Sequence, residues 1–238
     1  MKPAPAFQTI ANRGLARYLY TIPSAGATPI SLVSLARALP KTRQVRCFSF
    51  AGMEDTRDPH GSIAEMASDF IDEMTADDPD GPYTLLGHCF GGTVAFEVAV
   101  QLEAAGRPVE MIILIETFTP NFAGSLSGPS AEDGRTALAD IYRQATENHK
   151  LLPGTTAAKL LKVLESHIEA GIQYRGHPVS TDINIIRTRN HPTCFFVNWP
   201  LLSKGVTTEA VIPGTATSIL VKPLQNNLVN AIGNVLDS

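Results

Sequence analysis

The sequence has little cysteine, no long apolar run and no block of basic residues. Cys47, Cys89 and Cys194 are the only three thiols in 238 residues. An odd, sparse set of this kind argues against a disulfide framework and for a reducing compartment. No apolar stretch approaches the roughly 20 residues a bilayer crossing needs. The first residues show no charged-then-apolar leader, so the expectation is a cytoplasmic, unexported chain. Nineteen Lys and Arg against 23 Asp and Glu, without a basic run, speak against a nucleic-acid partner. Metal-ligand clusters, a phosphate loop and a dinucleotide fingerprint are also missing, so no bound cofactor is expected. What is there is ordinary globular chain, long enough for one sizeable core.

Its pattern is short apolar strands alternating with amphipathic helices. Strands are expected at 18–22, 45–50, 83–86 and 111–115, and helices at about 30–39, 63–74 and 93–105. Ser62 and Glu65 have capping-box spacing ahead of the second helix. This alternation predicts an α/β fold with a mostly parallel sheet and right-handed crossovers. It breaks after Glu116, where helices at about 136–147 and 156–174 are expected. Strands return at 183–186 and 208–212, followed by a helix over about 223–236. The helical insert, about 120–178, is placed as a lid over the strand ends of a single domain spanning 1–238. Two extra core helices would give the same pattern.

Gly87-His-Cys-Phe-Gly91 lies between a strand and a helix and has the form of the nucleophile elbow G-x-S-x-G, with cysteine at the centre. Glycines there allow the tight strand-to-helix turn. A helix N-terminus behind Cys89 is expected to favour its thiolate. A buried structural cysteine is the alternative.

From Leu19 to about Pro120 the chain resembles the type I thioesterase domains that end nonribosomal peptide synthetases and polyketide synthases. The resemblance rests on Ile22-Pro-Ser-Ala-Gly26, Ser34-Leu-Ala-Arg-Ala-Leu39 and Gly81-Pro-Tyr-Thr-Leu-Leu-Gly-His-Cys-Phe-Gly-Gly92. Gln101-Leu-Glu-Ala-Ala-Gly106 and the strand ending at Glu116 extend it; Trp199, Gly205 and the segment 213–220 agree more loosely. It implies an α/β-hydrolase fold and release of an acyl or peptidyl chain from the phosphopantetheine arm of a carrier-protein partner, by a monomeric domain with no cofactor of its own. Carried over residue by residue, it makes Cys89 the nucleophile in place of the usual serine and Glu116 the acid in place of the usual aspartate. The backbone N–H groups of Ala25 and Phe90 become the oxyanion hole, although Ala25–Ala27 could equally form a plain tight turn. The third triad position departs from the family: Gly214-Thr-Ala216 has alanine where the catalytic histidine belongs.

The base has therefore moved, or was removed by engineering, or the domain does not catalyse. His88 is read as structural, and His60, His149 and His177 as lying away from the site. His167, on the second lid helix, is the second choice of base if that helix overhangs the site, and otherwise a lid packing residue. His191, in the loop after the strand at 183–186, is the candidate base, with a plain loop histidine as the alternative. A cysteine nucleophile keeps the acyl group activated as a thioester, and the variant resembles the thioesterases that release strained β-lactams and β-lactones. Simple hydrolysis or editing is the second reading. A non-catalytic domain that docks a carrier and holds its acyl chain is the third.

Overall fold

The computed structural model describes residues 7–120, 157–190 and 198–237. A seven-stranded sheet runs in the order β1-β3-β2-β4-β5-β6-β7. Its strands are β1 (Phe7–Ala11), β2 (Tyr18–Ile22), β3 (Gln44–Phe48), β4 (Tyr83–His88), β5 (Val109–Ile115), β6 (Ile183–Thr188) and β7 (Thr207–Ile212). Only β1 is antiparallel to its neighbour; every other pairing is parallel. The sequence pattern anticipates all of these strands but β1, whose half-buried FQTIA stretch lacks a continuous apolar run.

The central strands are apolar on both faces because both are covered. Leu85, Ile112, Leu114 and Ile185 point into one core, whereas Leu86, Ile113, Ile115 and Ile186 point into the other. Helices α1 (Ile30–Ala38) and α5 (Gln225–Leu236) close the second core. Helices α2 (Ile63–Asp77), α3 (Phe90–Ala104) and α4 (Ala157–Gln173) close the first. The capping box forms at α2: Ser62 accepts from Glu65 N at 3.2 Å, and Glu65 reaches back to Gly61 N at 2.8 Å. The inner face of α2 buries Ile63, Met66, Ala67, Phe70 and Met74, with Phe70 stacked on Phe48 at 4.2 Å. Burying each large side chain there contributes roughly 1.5–3 kcal/mol.

Helix α4 is the described part of the expected lid; the helix expected at about 136–147 lies outside the described residues. Leu160, Val163, Leu164 and Ala170 of α4 are buried members of the first core. Because β2 leads outward to β3 while β4 leads to β5, the strand order reverses between β2 and β4. The crevice at the carboxyl ends of these two strands is where an open α/β sheet forms its site.

Candidate active site

Cys89 stands at that crevice, between the last residue of β4 and the first of α3. Its backbone has φ 53° and ψ −121°, a left-handed conformation that a non-glycine residue holds only at a cost of order 1–3 kcal/mol. The surrounding glycines leave no alternative. A Cβ on Gly87 would lie 2.3 Å from the Gly92 Cα, one on Gly91 would lie 2.2 Å from the Pro23 carbonyl oxygen, and one on Gly92 would lie 1.8 Å from Thr117 Oγ1. Strand, helix and the loop after β2 thus meet at van der Waals limits around one cysteine.

Strand register brings the acid beside it. Cys89 N donates to the Ile115 carbonyl at 2.8 Å, and Glu116 N donates to the Ile186 carbonyl at 2.9 Å. The apices beyond β4, β5 and β6 therefore line up in order, about 5 Å apart at the spacing of adjacent strands. Glu116 is fully buried and also has positive φ, 52°. Thr188, the last residue of β6, donates its backbone N–H to Glu116 Oε1 and its hydroxyl to Oε2 at 3.3 Å. On the other side Trp199 Nε1 donates to the Thr117 carbonyl at 3.0 Å. Sequence reasoning gave Thr188 no role. A threonine closing a buried strand carries no signal that it will meet a carboxylate.

The thiol's ionisation differs from the expectation. Burial pushes Cys89 up to about 11, the Phe90 N–H at the helix start pulls it down, and the Glu116 charge raises it further. The helix N-terminus acts in the anticipated direction and is outweighed. Cys89 keeps some exposure, and its thiol is held protonated near neutral pH, so chemistry through its sulfur would require a base to take that proton.

Of the histidines, His177 is exposed. His60 Nε2 lies 3.6 Å from Asp69 on the surface side of α2. His88 is buried and donates through Nε2 to the Ala216 carbonyl at 3.2 Å. Burial lowers its pKa against the pull of that carbonyl and of Glu116. Ala216, at the position where the resemblance would put a histidine, is thus tied by its backbone to the residue preceding Cys89. His167 is buried in α4, between the rings of Phe90 and Phe50. His191 and His149 lie outside the described residues. Arg189 and Asn190, which lead to His191, continue directly from the Thr188 that holds Glu116.

Ala25 lies in the loop that leaves β2 at Ile22, and Ile22 pairs with Gly87 of the elbow. Ala27 N donates to the Ser24 carbonyl at 3.1 Å, so this loop is a tight turn, and the Pro23 carbonyl that leads into it abuts Gly91 of the elbow. Among the described residues no group of three or more His, Cys, Asp or Glu side chains is gathered to hold a metal, and no helix is long and apolar enough to cross a membrane.

A parallel sheet with a strained cysteine at a strand-to-helix elbow and a buried acid at the next strand end defines an α/β-hydrolase fold. A family profile described as "Thioesterase domain" matches residues 17–215, and the chain belongs to that family. It is 38% identical over 110 residues to indigoidine synthase of Streptomyces lavendulae, a match covering 46% of this chain and 9% of that protein. It is 31% identical over 137 residues to atromentin synthetase of Tapinella panuoides, covering 56% and 14%. The chain thus spans only a small fraction of these synthetases. Solved structures share the fold. The RedJ thioesterase of the prodiginine pathway in Streptomyces coelicolor superposes with a TM-score of 0.76 at 19% identity, covering 98% of this chain and 90% of that one. The NocB thioesterase domain gives 0.71 at 20%, covering 97% and 99%.

Proposed function

We propose that this thioesterase domain releases the chain built by an assembly-line synthetase, by way of Cys89. The observation that carries the reading is the cysteine held at positive φ on the elbow, next to a buried, doubly hydrogen-bonded Glu116. The substrate is an acyl or peptidyl group on the phosphopantetheine thiol of a carrier protein. Cys89 sulfur attacks the thioester carbonyl, the base takes the thiol proton, and the oxygen is held by the N–H groups of Ala25 and Phe90. The tetrahedral intermediate expels the pantetheine thiol, which receives the proton. An amine or hydroxyl of the bound chain then attacks the Cys89 thioester, loses its proton to the base, and displaces the cysteine as a thiol. One thioester is exchanged for another, so the acyl group keeps the activation needed to close a strained four-membered lactam or lactone.

His191 is the base in this reading, oriented by Glu116. Only two residues, Arg189 and Asn190, separate it from Thr188, so the chain holds its Cα within about 11 Å of a residue touching Glu116. The insertion over about 120–178 serves as the lid, with α4 seated beside the crevice. Favouring catalysis over a docking module is the intact elbow, whose backbone strain a passive cysteine would not require.

The test uses Cys89→Ala and His191→Ala with a peptidyl thioester presented on a carrier protein. Intact-mass detection of the acyl-enzyme should be abolished by the first substitution and slowed by the second. Release of linear acid alone would reject cyclisation in favour of hydrolysis. Absence of any acyl-enzyme in the unmodified protein would favour the carrier-docking module.

A further inference from the structure

His167 spends a polar, ionisable ring where an apolar one would fill the same space. It is 1% exposed. Its ring is stacked on Phe90 at 4.6 Å with an interplanar angle of 10°, and lies edge-on to Phe50 at 4.4 Å. Burying an imidazole is costly unless its nitrogens are used. Nδ1 is used: it accepts the backbone N–H of Gly26 at 3.3 Å, across 141 residues of sequence. Burial holds the ring neutral, with a pKa lowered to about 3, so the acceptor lone pair persists through the physiological range.

The partners of this one side chain are telling. Phe90 follows the nucleophile, and Gly26 follows Ala25 in the loop after β2. Both segments carry the backbone donors assigned to the oxyanion hole, so the inference rests on that assignment. The Gly26 N–H belongs to one of the two peptide planes that meet at Ala25, and the other plane carries the Ala25 N–H. Gly26 has φ +64° and no side chain, so by itself it resists rotation weakly. The same face of α4 clamps it from above: a Cβ on Gly26 would lie 2.5 Å from Leu164 Cδ2 and 3.4 Å from Leu160 Cδ1.

We propose that His167 is a positioning residue that couples the seating of α4 to the oxyanion hole. With α4 in place, Nδ1 fixes the Ala25–Gly26 peptide and the ring braces Phe90, so both donors are set together. With α4 lifted, the Gly26 N–H loses its bond to Nδ1 and the hole loosens. Acyl transfer is then efficient only beneath a seated helix, which keeps water from the thioester while it forms.

Two substitutions separate the hydrogen bond from the packing. His167→Asn places an amide oxygen where Nδ1 was and removes the ring. His167→Phe keeps the stack and removes the acceptor. Single-turnover acylation of Cys89 by a short acyl-pantetheine thioester should fall about tenfold in its maximal rate for His167→Phe, with little change in half-saturating concentration. His167→Asn should stay within about threefold of the unmodified protein. Amide hydrogen exchange at Gly26 should be slow in the unmodified protein and His167→Asn, and fast in His167→Phe. Unchanged acylation in His167→Phe would overturn the proposal. So would equal losses in both variants that track their thermal stability, or rapid Gly26 exchange in all three proteins. If the unmodified protein fails to acylate Cys89, the thioester reading fails, and the Gly26 exchange pattern still decides whether His167 holds the loop.

Discussion

Because burial and the Glu116 charge push Cys89 up to about 11, its reactivity toward a simple alkylating agent should carry a distinctive pH signature. At pH 8 the thiolate fraction would be ~10⁻³, against about a quarter for an unperturbed thiol of pKa ~8.5. A more basic thiolate is also the better nucleophile, by roughly tenfold to twentyfold over such a gap. The two effects leave Cys89 on the order of tenfold to twentyfold slower than free cysteine at pH 8. Iodoacetamide labelling followed by peptide mapping measures this residue by residue, with the fully buried Cys47 as an unreactive reference. The logarithm of the Cys89 rate should climb with a slope near one up to at least pH 10. Glu116→Gln removes a charge that disfavours the thiolate and should shift the profile to lower pH, while slowing acyl transfer if Glu116 orients the base. Opposite signs from one substitution are hard to obtain by accident. A plateau below pH 8, or labelling faster than free cysteine, would refute the neutral-thiol argument and indicate a preformed thiolate–imidazolium pair.

Other outcomes follow from the same geometry. Thr188→Val keeps the backbone donor to Glu116 but removes the hydroxyl, and should cost about 1.5–3 kcal/mol in urea unfolding, with Thr188→Ser restoring most of it. Gly91→Ala should destabilise by about 3 kcal/mol or more and exceed Gly92→Ala, since it meets main-chain oxygens that cannot move aside, whereas Gly92 meets the Thr117 side chain. Equal effects in thermal melts would count against that ordering. His167, neutral when folded and titrating near 6.5 when unfolded, makes the unfolded state bind more protons as pH falls. Stability should therefore drop between pH 6.5 and 3 by up to ~1.4 kcal/mol per unit from this residue. Comparing unfolding at pH 7 and pH 5 should show a difference about 2 kcal/mol smaller in His167→Asn, and an identical pH dependence would contradict the burial argument.

The sheet could be read from the sequence because its strands are determined locally. Segments such as Met111–Ile115 are apolar at every position, which only a doubly covered strand requires. The first strand is not legible in the sequence because an antiparallel edge strand is covered on fewer sides and keeps a mixed pattern. The elbow was equally legible: Gly87, Cys89 and Gly91 sit within five residues, and their steric demands are satisfied by a single turn. Glu116 came instead from the resemblance, which puts an acid just past the end of the next strand, and the strand register sets that carboxylate near Cys89.

What surrounds those two residues came from farther away. Thr188 reaches Glu116 across 72 residues, His88 reaches Ala216 across 128, and His167 reaches Gly26 across 141. Such contacts have no periodicity to betray them, since each depends on strand order and on where a distant helix settles. The Cys89 thiol makes the same distinction. By sequence it is a cysteine at a helix start, which favours ionisation. Only the assembled crevice removes enough water, and brings a carboxylate close enough, to reverse that preference, because desolvation and Coulomb energy depend on every neighbour in space.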